Sequence, residues 1–410
     1  MMRLGNLLGR VFDRPLGLAL PQFRDDRPAE AIADALLSEP GEATGRALAT
    51  EFLDRFEAME DDEKCAVFRH LTQALDLDAE DVRAALSAYD DNPSRQTYRA
   101  FAKAAEPPRQ ELIRRLNRVT GATARLVAMR ADLIRLSDRT GDLGALDEDF
   151  RHLFASWFNR GFLVLMPVDW RSPAAVLEKV IAYEAVHAID DWDDLRRRLA
   201  PADRRCFAFF HPAMPDEPLI FVEVALTQGI PGSVQRVLAD DRAPIAAEEA
   251  DTAVFYSISN CQSGLAGISF GNSLIKQVVE DLSAELPNLR TFVTLSPIPG
   301  LMRWVEETGE TADLSDPETL RRLAARYLLH AKRTDGRPRD PVARFHLGNG
   351  ARVEAVHAGA DTSPKGLRQS AGAMVNYLYD PRRLAQNHEA FAAKGQVASA
   401  QAVRGLAGKR

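Results

Sequence analysis

The sequence predicts an α+β protein in two parts: an all-helical N-terminal domain over residues 1–156 and a second domain over residues 157–410 built on a mixed central sheet. Three observations carry this reading. The length of 410 residues exceeds one average domain, and at roughly 150 residues per domain two fit best. In the first part apolar positions recur at spacings of three and four with almost no alternating segments, which is the period of amphipathic helices. After Gly161 apolar runs of five to eight residues alternate with helical patterns, as in a sheet covered by helices.

In the helical part Leu126, Met129, Leu133 and Leu136 form one stripe. Phe150, Leu153, Phe154, Trp157 and Phe158 form another, with Gly161 where a C-terminal cap is expected. Pro107-Pro108 interrupts a run, Asp78 with Asp81 resembles a capping box, and Thr120-Gly121 divides two consecutive helices. Such stripes serve core or subunit packing, and no catalytic residue types gather here, so this part reads as scaffold and assembly surface.

In the second part Ser172-Pro173 starts a helix whose buried face is Val176, Leu177, Val180 and Ile181. CFAFF (206–210) and LIFVEVAL (219–226) read as strands flanking a proline-rich hairpin connection. The acidic stretch 240–251 reads as a solvated loop or short helix. TAVFYSIS (252–259) is a third strand, followed by a loop with two glycines and a helix with apolar face Leu274, Ile275, Val278, Val279, Leu282 and Leu286, ended by Pro287. TFVTL (291–295) is a fourth strand that delivers Ser296 at its carboxyl end. Strand, glycine loop, helix and strand make a βαβ unit with ligand contacts at the carboxyl ends of its strands.

Composition narrows the function. With 46% hydrophobic and 27% charged residues the chain can bury a sizeable core. A net charge of −7 leaves no basic surplus for nucleic acid. Cys65, Cys206 and Cys261 include no C-x-x-C pair and read as inert thiols. The eight histidines show no H-E-x-x-H or comparable cluster, so no metal site is expected. No apolar run near the start is long enough to span a membrane, and a cytoplasmic protein is expected.

Three stretches concentrate chemistry. In Ala266-Gly267-Ile268-Ser269-Phe270-Gly271-Asn272 the glycines allow close backbone approach, and the amides of the following helix favour a pyrophosphate. Glycines before a helix are more often a plain turn. Lys276, one turn on, is a candidate phosphate contact or simply a solvated residue. His346 follows a short helix begun by Asp340-Pro341 and precedes a strand from Arg352. A lone histidine beside apolar residues is more often structural than catalytic, although its pKa lies nearest neutrality. The small residues from Ser370 onward suggest a closely packed helix that presents Asn376, Tyr377 and Tyr379 at its end.

The segments FYSISNCQSGLAGISFGNSLIKQVVEDL, TLSPIPG, RFHLGNGARVEAV, DTSPKGLRQSAGAMVNYLY and HPAMPDEPLIFVEVAL together resemble the malonyl-CoA decarboxylase family, over about Trp157 to Tyr379. The resemblance implies a catalytic half with the fold of the GCN5-related acetyltransferases and a coenzyme A site at 266–272. It implies a catalytic serine at Ser296, a catalytic histidine at His346 and a site tyrosine at Tyr379. Ser269 stands where some relatives carry a glutamate, so no carboxylate role passes to it. Also implied are malonyl-CoA as substrate and acetyl-CoA as product, no separate cofactor, and a homotetramer assembled through the helical domain. An acyltransferase and a non-catalytic coenzyme A sensor are the rival readings.

Overall fold

The computed structural model describes residues 25–39, 41–141, 143–268 and 274–408. It divides into two compact units: the residues up to Leu163 with His211–Glu217 and the stretch from Gln262 through Ile268, and the remainder from Val164.

The first unit is helical. Its packing is aromatic and aliphatic, with Phe56 against Phe68 at 5.4 Å between ring centres and Phe150, Phe154 and Phe158 in successive edge contacts. The predicted stripe Leu126, Met129, Leu133 and Leu136 is buried on helix Ala122–Thr140. That helix is separated from Pro108–Leu116 by a turn in which Gly121 takes φ +75°, a conformation that favours glycine. Asp78 caps its helix through the N–H groups of Glu80 and Asp81, a simple cap rather than a box. The helix Gly144–Trp157 stops earlier than the sequence suggests, and Gly161 lies in a following 3₁₀ turn, Arg160–Phe162.

The second unit is built on an eight-stranded sheet: β1 (Val164–Pro167), β2 (Arg204–His211), β3 (Met214–Thr227), β4 (Thr252–Asn260), β5 (Thr291–Thr294), β6 (Ser296–Pro297), β7 (Arg352–His357) and β8 (Met374–Leu378). The order is β1-β2-β3-β4-β5-β8-β6, with β7 also on β8. β4 and β5 are parallel and adjacent, joined through helix Leu274–Glu285, as the βαβ reading requires. The described neighbours of the other strands run antiparallel where their register is defined, so the sheet is mixed.

Helices Ala174–Tyr183 and Trp192–Leu199 bury Val176, Leu177, Val180, Leu195 and Leu199 against Cys206, Ala208, Phe210 and Phe221. Another cluster joins Val254, Val293 and Leu295 with Val234, Val237 and Ala360. At roughly 1.5–3 kcal/mol for each large apolar side chain removed from water, these two layers fix the sheet that carries the site. All three cysteines are buried thiols outside any disulfide.

Two further sequence expectations are corrected. The proline-rich hairpin connection is mostly strand, because β3 already starts at Met214 and Pro215 and Pro218 sit in its outer part. The segment Ser370–Tyr379 is not a helix. Ala371 and Gly372, at φ +50° and +81°, end the helix Pro364–Ser370, and Met374–Leu378 forms β8. Small residues permitted either form, and pairing with β5, β6 and β7 selected the strand.

Candidate active site

The site arises where two parallel strands part. β4 and β5 stay in register from Thr252↔Thr291 to Phe255↔Thr294, and Leu295 N–H still donates to the Phe255 carbonyl at 3.0 Å. Beyond this point β4 continues to Asn260 along β3, whereas the chain after Leu295 turns to β8, with Ser296↔Val375 and Pro297↔Met374. Opposite Glu223 and Val224 the register shifts, because Glu223 pairs with Ser257 and Val224 with Phe255, leaving Tyr256 as the extra residue of a bulge. The divergence leaves a cavity of about 240 Å³. Val186, Phe255, Ile258, Pro297 and Phe345 give it a largely apolar wall, and Ser296 and His346 open onto it.

Ser296 is held by Pro297 and by a hydrogen bond from its hydroxyl to Thr294 Oγ1 at 2.8 Å. His346 lies inside the helix Pro341–Gly348, not after it. Asp340 caps that helix, its Oδ1 accepting the Ala343 N–H at 2.8 Å, and Pro341 occupies the first position. The helix turns His346 toward β6 and β8. There Nε2 meets Ser296 Oγ at 3.2 Å, Nδ1 meets the Tyr379 hydroxyl at 2.7 Å, and the ring stacks on Tyr377 with centres 4.6 Å apart.

Donor and acceptor roles follow from the chain of contacts. Ser296 gives its hydrogen to Thr294, so it accepts from Nε2–H; Nδ1 is then bare and accepts from Tyr379. Burial supports this arrangement. It pushes the His346 pKa down to about 3, keeping the ring neutral, and pushes the Tyr379 phenol well up, keeping its proton on. Ser296, His346 and Tyr379 are 5%, 3% and 1% exposed.

The predicted trio is therefore assembled. Of the expected coenzyme A loop, Ser269, Phe270, Gly271 and Asn272 lie outside the described residues. Ala266, Gly267 and Ile268 belong to the first compact unit, where Arg130 donates to the Gly264 and Ala266 carbonyls at 2.6 and 2.9 Å. Gly267 takes φ +80°. Lys276 sits half-buried in the first turn of its helix.

Thr294 and Glu184 escape the sequence reading, and the contacts of Asn376, which it did single out, could not be foreseen. Thr294 accepts from both Ser296 and the Tyr377 N–H; strand alternation in TFVTLS puts Thr294 and Ser296 on one face, a signal available from sequence. Asn376 donates to the Thr294 carbonyl at 2.8 Å and also meets His357. Glu184 anchors the cavity wall: its carboxylate accepts the Val186 and His187 N–H groups, both at 2.8 Å, and the hydroxyls of Ser257 and Ser259. Its backbone partners are its own near neighbours, but the two hydroxyls come from a strand 73 and 75 residues further on, so the sequence around Glu184 does not reveal the link. Among the described residues no group of three His, Cys, Asp or Glu side chains is arranged to hold a metal ion, and no helix is long and apolar enough to cross a membrane.

Comparison with known proteins agrees with this construction. The family model described as malonyl-CoA decarboxylase C-terminal domain matches residues 161–317 and 310–409, and the N-terminal domain model matches 75–158. Mitochondrial malonyl-CoA decarboxylase of Anser anser anser is 34% identical over 347 residues, 72% of this chain and 69% of that protein. The mouse enzyme is 34% identical over 67% of this chain and 65% of its own length, so the chain spans about two thirds of these relatives. The crystal structure of malonyl-CoA decarboxylase from Rhodopseudomonas palustris superposes with a TM-score of 0.87 at 50% identity, covering 92% of this chain and 98% of that one. The Agrobacterium vitis structure gives 0.88 at 50% identity, with 93% and 100% covered. The chain belongs to the malonyl-CoA decarboxylase family.

Proposed function

We propose that this protein converts malonyl-CoA to acetyl-CoA and carbon dioxide, with the proton supplied through His346 and Ser296. The observation that carries the reading is the hydrogen-bonded pair Ser296–His346 on the wall of a mainly apolar cavity, backed by Tyr379.

In this reading the bond between the α-carbon and the carboxylate breaks, carbon dioxide leaves, and the electron pair moves into the thioester as an enolate. The thioester is itself the electron sink, so the reaction needs no separate cofactor. The apolar wall favours loss of the localised carboxylate charge. A hydroxyl or N–H aimed at the enolate oxygen contributes about 3 kcal/mol, and a positioned acid roughly 10²- to 10⁴-fold.

A neutral imidazole gives up Nε2–H only if Nδ1 gains a proton, and the Tyr379 hydroxyl is placed to supply it. The carbanion thus takes its proton from Nε2–H directly or through the Ser296 hydroxyl, while Nδ1 draws on Tyr379 and the ring stays uncharged. Solvent restores the tyrosine proton after carbon dioxide and product leave.

The reading also includes coenzyme A contact at residues 266–272, a cytoplasmic location, and assembly as a homotetramer through the helical part. Helices Ala79–Asp91 and Arg95–Ala104 have no buried residue, and Leu86 and Tyr98 stand 43% and 58% exposed, which fits an assembly surface. Light scattering on the purified chain gives the assembly directly.

The deciding experiment incubates purified protein with malonyl-CoA, a chelator and no acceptor, with His346→Ala alongside. Acetyl-CoA formation that collapses in the variant supports the reading. Release of free coenzyme A only when an amine is added would make it an acyltransferase. Binding of malonyl-CoA without turnover would make it a sensor.

A further inference from the structure

We propose that Asp340 is a positioning residue for this reaction: its carboxyl joins the Ser296–Gly300 turn to the start of the His346 helix and so sets the Ser296–His346 separation. The inference rests on the decarboxylase reading of the Ser296–His346 pair.

The first observation is its burial. Asp78, Asp191 and Asp316 cap helices in the same manner and are exposed, whereas Asp340 is 0% exposed. A cap alone needs one acceptor oxygen, and serine supplies that without burying a carboxyl. Oδ1 is used by the Ala343 N–H. Oδ2 is buried with no hydrogen-bond partner, and it lies beside Gly300 at the end of the Ser296–Gly300 turn.

The second observation is what Oδ2 faces. A Cβ on Gly300 would lie 3.8 Å from it and only 2.1 Å from the Tyr327 hydroxyl oxygen. Gly300 has an ordinary φ of −98°, so space and not backbone freedom calls for glycine there. Burial pushes the Asp340 pKa up to about 6, and the N–H groups of Ala343, Gly300 and Val342 pull it back, so both backbone segments present positive dipoles to one carboxyl. Asp340 also raises the pKa of Tyr327 and of Tyr377, after burial the next cause in each. Tyr377 is the ring stacked on His346.

The consequence is geometric. Ser296 reaches Gly300 through a segment stiffened by Pro297 and Pro299. His346 follows Asp340 by six residues of rigid helix, about 9 Å at 1.5 Å per residue. Bonding one segment and packing the other against one buried carboxyl leaves little freedom in the 3.2 Å contact at their far ends.

The test uses Asp340→Asn and Asp340→Ser in the full-length protein. Both keep an oxygen for the Ala343 N–H; Asn sets a donor NH₂ toward Gly300, and Ser leaves that side empty. The expected result is a melting temperature within a few degrees of wild type, a malonyl-CoA KM within about twofold, and kcat reduced tenfold or more in both. If Asp340 only caps the helix, kcat stays at the wild-type value, and that outcome overturns the proposal. A wild-type protein that forms no acetyl-CoA defeats the decarboxylase reading instead. The joint is then judged by a crystal structure of Asp340→Ser, where an unmoved Ser296–His346 pair overturns it.

Discussion

The Ser296 hydroxyl and His346 Nε2 are 3.2 Å apart across 50 residues of sequence. Neither is aimed by its own neighbours alone. Ser296 is placed by the parting of β5 from β4, and His346 by a helix whose first turn is capped at Asp340. The pair is buried, so its hydrogen bonds are strong and a misdirected one is costly.

Tyr379→Phe removes the proton source at Nδ1 and leaves the stacking environment intact. Turnover of malonyl-CoA should fall about 10- to 100-fold with KM nearly unchanged, because the contact matters when the proton moves. Wild-type kcat in steady-state kinetics would take Tyr379 out of the relay.

Thr294→Val strips the acceptor from the Ser296 hydroxyl and from the buried Tyr377 N–H. We expect about 1–3 kcal/mol lost in denaturant unfolding, from the orphaned donor, together with roughly tenfold lower kcat. Thr294→Ser keeps the oxygen and should restore most of both.

His346 gives the protein a specific acid sensitivity. Burial lowers its folded pKa to about 3, while the unfolded ring titrates near 6.5. As pH falls below 6.5 the unfolded chain takes up a proton that the folded chain refuses, so stability drops by about 1.4 kcal/mol per pH unit until the folded pKa is reached. His346→Gln should therefore lose about 2 kcal/mol less than wild type between pH 6.5 and 5. Equal losses in wild type and variant, measured by urea titrations at the two pH values, would show that the folded histidine takes up its proton over the same range as the unfolded one.

Glu184→Ala frees two backbone N–H groups and the hydroxyls of Ser257 and Ser259. The orphaned donors should cost roughly 2–4 kcal/mol, and release of the Val186 wall should raise the KM for malonyl-CoA more than it changes kcat. A KM equal to wild type would show that the wall keeps its shape without this carboxylate.

Residues with strong local preferences were legible in advance. The βαβ unit was readable because apolar runs of strand length flank a helical stripe, and Asp340-Pro341 because a cap followed by proline is a local signal. Segment 370–379 was misread, since a short run of small and apolar residues fits either period and its partners lie far along the chain. His346 was read as following its helix, whereas the helix runs on to Gly348 and carries it in its last turn.

By itself the sequence determined the fold class and the family, and it pointed to Ser296, His346 and Tyr379 as the residues to watch. Patterns that carry this information are local, set by the helix and strand periods and by proline and glycine. Only the tertiary structure decided that β4 and β5 part at Phe255, that Thr294 and Tyr377 support the pair, and that Glu184 and Asp340 hold its surroundings. Each of these depends on groups distant in sequence meeting in a dry interior. There an unpaired polar atom is expensive, and hydrogen bonding chooses among arrangements that local preference leaves open.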